Sequence, residues 1–274
     1  MPRHRGTYNP EISEPYEVSR TKIDNFIRCP ACFWMDRVKG IKFPDIPPFL
    51  LNTATDTLLK KDFDKYREVE KPHPFMVHHN LGHLVPFKHE DFHKWTQSRS
   101  LGLRTYFEDA HLIIGGGLDD VWHDPKKDEL FVVDYKSTAG KASPDKSGLL
   151  PIDLNDHYKS SVKRQMIIYQ WILRKNGFNV NDTGYLLYVN GDQHFQDGML
   201  NDEENENFDI AKMFFKVELI PYEGDSSWVE KTIMDLKNCL ISDVMPDHAI
   251  TGYGAKGDKP CQHGAFIEQV KSKL

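Results

Sequence analysis

The chain has no apolar run near the ~18 residues of a membrane-spanning helix, and its Met-Pro-Arg-His-Arg-Gly start lacks the apolar core of a secretory signal. Both absences point to a soluble, cytoplasmic protein. Cysteine is scarce: the four thiols, Cys29, Cys32, Cys239 and Cys261, are too few and too scattered for a disulfide-dense secreted fold. Reduced thiols or a metal site are the readings left. Positive charge is also short, since 35 Lys and Arg against 41 Asp and Glu leave a formal net charge of -6. Such a balance argues against broad electrostatic attraction to nucleic acid but is compatible with a local basic groove. Neither an internal repeat nor a low-complexity tract is present.

What is there suffices for a sizeable core. Of the 274 residues, 39% are hydrophobic and 12% aromatic, which fits one elaborated α/β domain spanning 1–274. Ser19 opens a helical pattern from Val18 to Val38 as its capping residue, and Pro30 should divide that pattern into two helices. Phe49 to Arg67 reads as another helix, with Leu51, Thr55, Leu58, Leu59 and Phe63 on one side and Asp56 close by, so the N-terminal segment 18–68 is expected to be helical. Further along, a short strand is expected at Leu84–Phe87, a short helix at Glu90–Gln97 and a loop at Gly140–Asn155. His157 to Asn176 has a clear helical pattern, with Arg174 and Lys175 in its last turn and Gly177 as its C-cap. Gly184–Val189 and Met213–Ile220 look like strands and Ser226–Leu240 like a helix. The tail, 243–274, reads as irregular, ending in a short helix.

The chain is organised around Gly115–Ala139. Two β-prone runs, His111–Ile114 and Leu130–Val133, flank the polar Asp-Pro-Lys-Lys-Asp connection and predict a hairpin with arms Arg104–Trp122 and Glu129–Ser137. Asp134 and Lys136, two apart, share one strand face. A hairpin can bring Asp119 against them, whereas Asp120 should point to the opposite face. Carboxylate oxygens suit Mg²⁺ or Mn²⁺, which activates water and polarises a phosphoryl oxygen, and a nearby lysine can stabilise the growing charge. Two carboxylates and a lysine converging would therefore form a phosphodiester hydrolase site.

Gly117-Leu118-Asp119, then Asp134-Tyr135-Lys136, then a helix bearing Gln165 and Tyr169 together resemble the PD-(D/E)XK nuclease superfamily. The similarity is to its RecB-like branch, which includes the CRISPR-associated exonucleases and the nuclease domains of RecB and AddB. Ser19, Ile23, Phe26, Cys29 and Pro30 look like that branch's opening helix, so the resemblance runs from about Ser19 to Tyr188. It implies a restriction-endonuclease-like core, with a central mixed sheet of four or five strands flanked by helices. It also implies metal-dependent hydrolysis of DNA, by an exonuclease or end-processing endonuclease acting on single strands or free ends. By the resemblance, Asp119 and Asp134 would ligate the metal with the main-chain carbonyl of Tyr135, and Lys136 would be the catalytic lysine. Gln165 and Tyr169, at i and i+4 on one helical face, could reach that lysine or the DNA phosphates. The competing reading is a nuclease-fold module that binds nucleic acid or a protein partner without cutting.

Two features depart from the family pattern. Where relatives have Gly-x-x-x-His, this chain has Asn52-Thr53-Ala54-Thr55-Asp56, so Asp56 would stand in for the histidine as a third ligand. Some relatives hold an Fe-S cluster, and Cys29 matches its first cysteine, but Cys261-Gln262-His263-Gly264 has glycine where the next cysteine belongs. Convergence of Cys29, Cys32, Cys239 and Cys261 on a cluster or Zn²⁺ is thus a possible alternative but not the favoured one. His78, His79 and His83 show no regular ligand spacing. Lys159, Lys163 and Arg164, in the helix with Gln165, are the expected phosphate contacts.

Overall fold

The computed structural model describes residues 3–42, 49–97, 102–156, 159–200, 209–250 and 261–273. The Pro-rich link at 43–48 and the expected helix start at His157 lie outside them. No helix among the described residues is long and apolar enough to cross a membrane.

Among the described residues two sheets carry the fold. The larger has five strands in the order β2 (Val85–Pro86), β5 (Asp120–Asp124), β6 (Glu129–Ala139), β7 (Thr183–Gly191) and β8 (Phe215–Glu223). Only the β6–β7 pairing in it is parallel, so the sheet is mixed. The smaller has three strands, with β4 (Leu112–Gly116) between β1 (Tyr16–Ser19) and β3 (Leu103–Phe107).

The expected hairpin forms, but with a different first arm. β5 faces β6 from Asp120↔Val133 to Asp124↔Glu129, while the His111–Ile114 run lies in β4 and pairs with β1 and β3 in the other sheet. Arg104–Trp122 is not one strand. A 3₁₀ turn at Glu108–Ala110 and His111, left-handed at φ 51°, reverse the chain after β3. After β4 the chain passes through Gly117, the buried Leu118 and Asp119 into β5, and so crosses from one sheet to the other.

Period-2 alternation in β6 supplies both faces of the large sheet. Leu130 and Val132 pack into the main core with α6 (Ser160–Lys175), whereas Phe131, Val133 and Tyr135 join Phe63, Met76, Trp122, Leu187 and Val189 on the other side. Every residue of α6 from Gln165 to Leu173 is buried, because the helix packs against strands of both sheets. It ends in a Schellman cap: Gly177, at φ 88°, donates to Arg174 O at 3.0 Å, and Phe178 donates to Leu173 O at 3.2 Å.

The N-terminal segment begins with β1, followed by α1 (Arg20–Arg28) and α2 (Pro30–Arg37), and Pro30 opens the second helix as expected. Ser19 occupies the N-cap position of α1, although its side chain makes no capping bond. α3 (Leu50–Glu68) lies over the hairpin with Phe63 and Arg67 buried; Leu51 and Leu58, expected on the packed side, are exposed. Its packed face is partly polar instead. Phe63 meets the rings of Trp122 at 5.5 Å and Tyr135 at 5.9 Å, while Arg67 donates to Asp120 Oδ1 at 2.6 Å and to Phe87 O at 2.7 Å. The Tyr135 hydroxyl donates to the other Asp120 oxygen at 2.6 Å. Short helices α4 (Pro74–His78) and α5 (Phe92–Thr96) bury Met76 and Phe92 with Trp95, and α7 (Val229–Ile241) packs on α1 and α2. The tail contains α8 (Gln262–Lys271), a longer element than an irregular tail implies.

Candidate active site

Asp119 stands at the crossing between the two sheets, where Tyr135 N–H donates to its Oδ2 at 3.0 Å. This main-chain bond fixes one carboxylate against the strand that carries the other two motif residues. Asp134 is buried, 1% exposed, and its carboxylate forms an ion pair with Lys136. The Lys136 ammonium also donates to the Tyr135 carbonyl at 3.2 Å and lies 4.0 Å from Asp119 Oδ2. Asp119, Asp134, Lys136 and the Tyr135 carbonyl thus occupy one place at the mouth of the hairpin.

α3 adds a second charged pair. Its packed face carries Asp56 and, one turn later, Lys60, whose ammonium lies 2.9 Å from Asp56 Oδ2 and 3.7 Å from Asp119 Oδ1. A hydrogen bond between the Thr55 and Ser137 hydroxyls docks this turn of α3 beside Lys136. The three carboxylates are therefore linked through two lysines. Lys60 belongs to no motif, although its i,i+4 spacing from Asp56 puts it on the same helical face.

Burial drives the electrostatics. Asp134 is pushed up to about 7 by loss of solvent; Lys136 opposes the rise and Asp119 adds to it. Asp56 is raised by burial, against Lys60 and with the help of Asp119. Burial alone would lower the Lys60 ammonium, but Asp119 and Asp56 outweigh it and raise it. Tyr169 is pushed up to about 12, chiefly by burial, and so remains a neutral donor.

The helix residues divide. The Tyr169 hydroxyl donates to Gly117 O at 2.6 Å and so holds the backbone two residues before Asp119. Gly116 makes room for it, since a Cβ there would lie 2.8 Å from the hydroxyl. Gln165, one turn earlier, is also buried. Lys159 extends over the ring of Tyr188, the residue in register with Lys136, at 4.8 Å. Lys163 lies over Tyr222 at 5.6 Å, and Tyr222 pairs with Gly184 at the other end of β7. Arg164, expected at a phosphate, is held by Asp24 of α1 at 2.6 Å. It joins two helices because the buried Asp24, which also accepts from Ser161 at 3.0 Å, requires a cation. A further set of basic side chains, Arg3, Arg5, Lys22, Arg37 and Arg104, lines a cleft of about 210 Å³ beside Glu17 and Gly116. No motif pointed to it, since its residues come from segments far apart in the chain.

Donor chemistry and burial suit a hard divalent cation. Both carboxylate oxygens of Asp134 are buried without a hydrogen-bond partner, and the Lys136 ammonium approaches one of them as an ion pair outside hydrogen-bond geometry. Buried acceptors of this kind need positive charge nearby. Asp119, Asp56 and the Tyr135 carbonyl are neighbouring oxygens of the type that Mg²⁺ and Mn²⁺ prefer, but the carboxylates are joined through Lys60 and Lys136 and, among the described residues, do not form a close ligand group of their own.

The cysteines do not converge as a set of four. Cys239 is buried apart, its thiol directed to Pro30 O at 3.9 Å. Cys29, Cys32 and Cys261 are joined instead by His248, whose ring nitrogen and the three sulfurs lie within 4.8 Å of one another. His248 carried no sequence signal, because it lies 13 positions before Cys261, outside the short spacings of a ligand motif.

The central mixed sheet flanked by helices defines an α/β protein of the restriction-endonuclease-like kind. A sequence model of the PD-(D/E)XK nuclease superfamily matches residues 50–220, and the chain belongs to that superfamily. Membership implies a nucleic acid substrate. A solved structure from Eubacterium rectale, a candidate exonuclease, is 12% identical and covers 82% of this chain and 83% of its own, at a TM-score of 0.33. No curated protein matches.

Proposed function

We propose that the chain is a metal-dependent nuclease of the RecB-like branch, a single cytoplasmic domain that hydrolyses DNA phosphodiester bonds at ends or in single strands. The observation that carries this reading is the buried Asp134 carboxylate, ion-paired with a Lys136 ammonium that also lies 4.0 Å from Asp119. Asp119, Asp134 and the Tyr135 carbonyl would hold Mg²⁺ or Mn²⁺, with Asp56 as a further oxygen donor. Such an ion supplies Lewis-acid polarisation of the scissile phosphate and lowers the pKa of water. Lys136 orients the attacking water and stabilises charge that grows on the phosphoryl oxygens. Tyr169 keeps the Gly117–Asp119 backbone in place from α6, and Gln165 lies on the same helical face. Lys159, beside Tyr188, is the cation best placed to meet the DNA backbone.

The test is digestion of end-labelled single- and double-stranded DNA with Mn²⁺, comparing wild type with Lys136→Ala. Loss of at least ~100-fold in the variant is expected for a group acting in the transition state. Equal rates in the two proteins would remove Lys136 from the chemistry.

Lys60 favours a second reading, in which the module binds nucleic acid or a protein without cutting. Its ammonium already neutralises Asp56 and Asp119, the carboxylates a metal would need. Calorimetric titration with Mn²⁺ separates the two readings, because a module that does not cut has no need of the ion and should give no heat.

A further inference from the structure

Three thiols and one imidazole gather where the tail meets the opening helices. Cys29 is the residue between α1 and α2, Cys32 lies in the first turn of α2, Cys261 immediately precedes α8 and His248 lies upstream of it. The Cys261 sulfur is 3.4 Å from Cys32 Sγ and 3.5 Å from Cys29 Sγ. His248 Nδ1 lies 3.4 Å from Cys261 Sγ, 3.6 Å from Cys29 Sγ and 3.8 Å from Cys32 Sγ. Among the described residues this is the group of metal-ligand side chains drawn this close together.

We propose that Cys29, Cys32, His248 and Cys261 bind a single Zn²⁺ ion that clamps the tail to the first two helices. The separations decide between one ion and a cluster. Zinc bonds of ~2.3 Å to sulfur and ~2.0–2.1 Å to nitrogen, arranged tetrahedrally, set sulfurs ~3.8 Å apart and sulfur and nitrogen ~3.5 Å apart. The sulfur–nitrogen separations of 3.4–3.8 Å straddle that value and the sulfur–sulfur separations of 3.4 and 3.5 Å fall a few tenths of an ångström inside theirs, so a small outward shift of the thiols seats one ion. A cubane Fe-S cluster, by contrast, carries one iron per thiolate at separate corners and needs its ligands spread much wider. The spacing Cys-Pro-Ala-Cys is the two-residue gap of zinc knuckles, and three thiolates with one histidine is an established structural zinc set.

The surroundings independently support a metal. Ala249 N–H donates to Cys29 Sγ at 3.4 Å and Gly264 N–H to Cys261 Sγ at 3.3 Å, the outer hydrogen bonds that stabilise metal-bound thiolates. Gly264 is also a steric requirement. A Cβ there would lie 2.7 Å from His248 Cγ and 2.9 Å from its Nδ1, so a side chain at this position would displace the ring. The glycine that stands where relatives have a cluster cysteine is therefore the space into which His248 fits. Cys29, Ala31 and Cys261 form a small buried cluster of their own, with Cys32 and Ala249 packed against it. Zinc binding there closes a loop of more than two hundred residues, since Cys29 and Cys261 are 232 positions apart, and withdraws a large entropy from the unfolded chain.

Elemental analysis of the full chain, purified under reducing conditions, tests the proposal without reference to nuclease activity. About one zinc per chain is expected, with no iron and no acid-labile sulfide. Replacement by Co²⁺ should give the intense visible bands and thiolate charge transfer of a tetrahedral site. His248→Ala and Cys261→Ala should lose the metal, Cys239→Ala should keep it, and His248→Cys should keep it with a shifted cobalt spectrum. Gly264→Ala should weaken zinc binding by roughly 10–100-fold, as for other outer-shell changes. If the alanine variants do not fold, thiol titration of the wild type with a mercurial decides: zinc should leave in step with modification of three sulfurs. Iron with sulfide, no bound metal, or full zinc retention in folded His248→Ala would each overturn the assignment.

Discussion

Lys60 stands 3.7 Å from Oδ1 of Asp119. Lys136 faces the other oxygen of that carboxylate at 4.0 Å, so the central acid of the site is flanked by two ammonium groups. A divalent ion bound there as proposed would compete with Lys60 directly. Lys60→Met should therefore tighten Mn²⁺ binding by roughly 3–10-fold, a modest effect because the side chain is partly exposed to solvent. Calorimetric titration measures it, and weaker binding in the variant would show that Lys60 assists the metal site.

The pH response of the metal-free protein should report Asp134. Its carboxyl is raised from 3.8 to about 7 by burial, so between those values the folded state binds more protons than the unfolded state. Stability from this group is full below 3.8, declines as pH rises, and is lost above about 7. In chelator, Asp134→Asn should remove that decline and melt ~2–5 °C above wild type near pH 8, with little difference near pH 4. Melting curves across pH decide the matter; parallel pH profiles for the two proteins would count against it. Added Mn²⁺ should stabilise wild type increasingly as pH rises through this range and leave the variant unchanged.

The Arg67–Asp120 pair anchors α3 to the hairpin, and both side chains are buried. Removing one partner leaves an uncompensated charge inside the protein. Arg67→Met should cost ~3–5 kcal/mol in denaturant unfolding, and adding Asp120→Leu should recover much of the loss. If the double variant is as unstable as the sum of its parts, the two residues do not act as a pair.

Tyr169 and Gly116 are fitted to each other. Tyr169→Phe should lower stability by ~1 kcal/mol through the lost bond to Gly117 O. Gly116→Ala, whose Cβ would meet that hydroxyl at 2.8 Å, should cost more, and the double variant should regain part of the difference. Strictly additive losses would mean that the hydroxyl and the added methyl never meet.

Much of this was legible in the chain itself. The apolar run Leu130–Val133 in the expected arm Glu129–Ser137, the polar turn before it, the helical pattern ending at Asn176 and the glycine cap after it are local patterns, and local geometry acts on them directly. The ordered motif residues Asp119, Asp134, Lys136, Gln165 and Tyr169 indicated the superfamily that the 50–220 match establishes. Other features had no local sign. Leu112–Gly116 suits a strand in either sheet, and only pairing with both β1 and β3 draws it away from the hairpin. Arg164 reads as a phosphate contact from its helix alone, whereas Asp24, 140 positions away, binds it.

The sequence by itself determined the strand that carries Asp134 and Lys136 on one face, the polar turn before it and the helix that bears Gln165 and Tyr169, because those properties depend on neighbours a few residues apart. Tertiary structure alone decided that Lys60 enters the carboxylate site, that Asp120 is neutralised by Arg67, and that His248 rather than Cys239 joins the thiols. Each of these outcomes is a contact between distant segments, up to 219 positions apart for Cys29 and His248, set by how the packed elements bring their surfaces together.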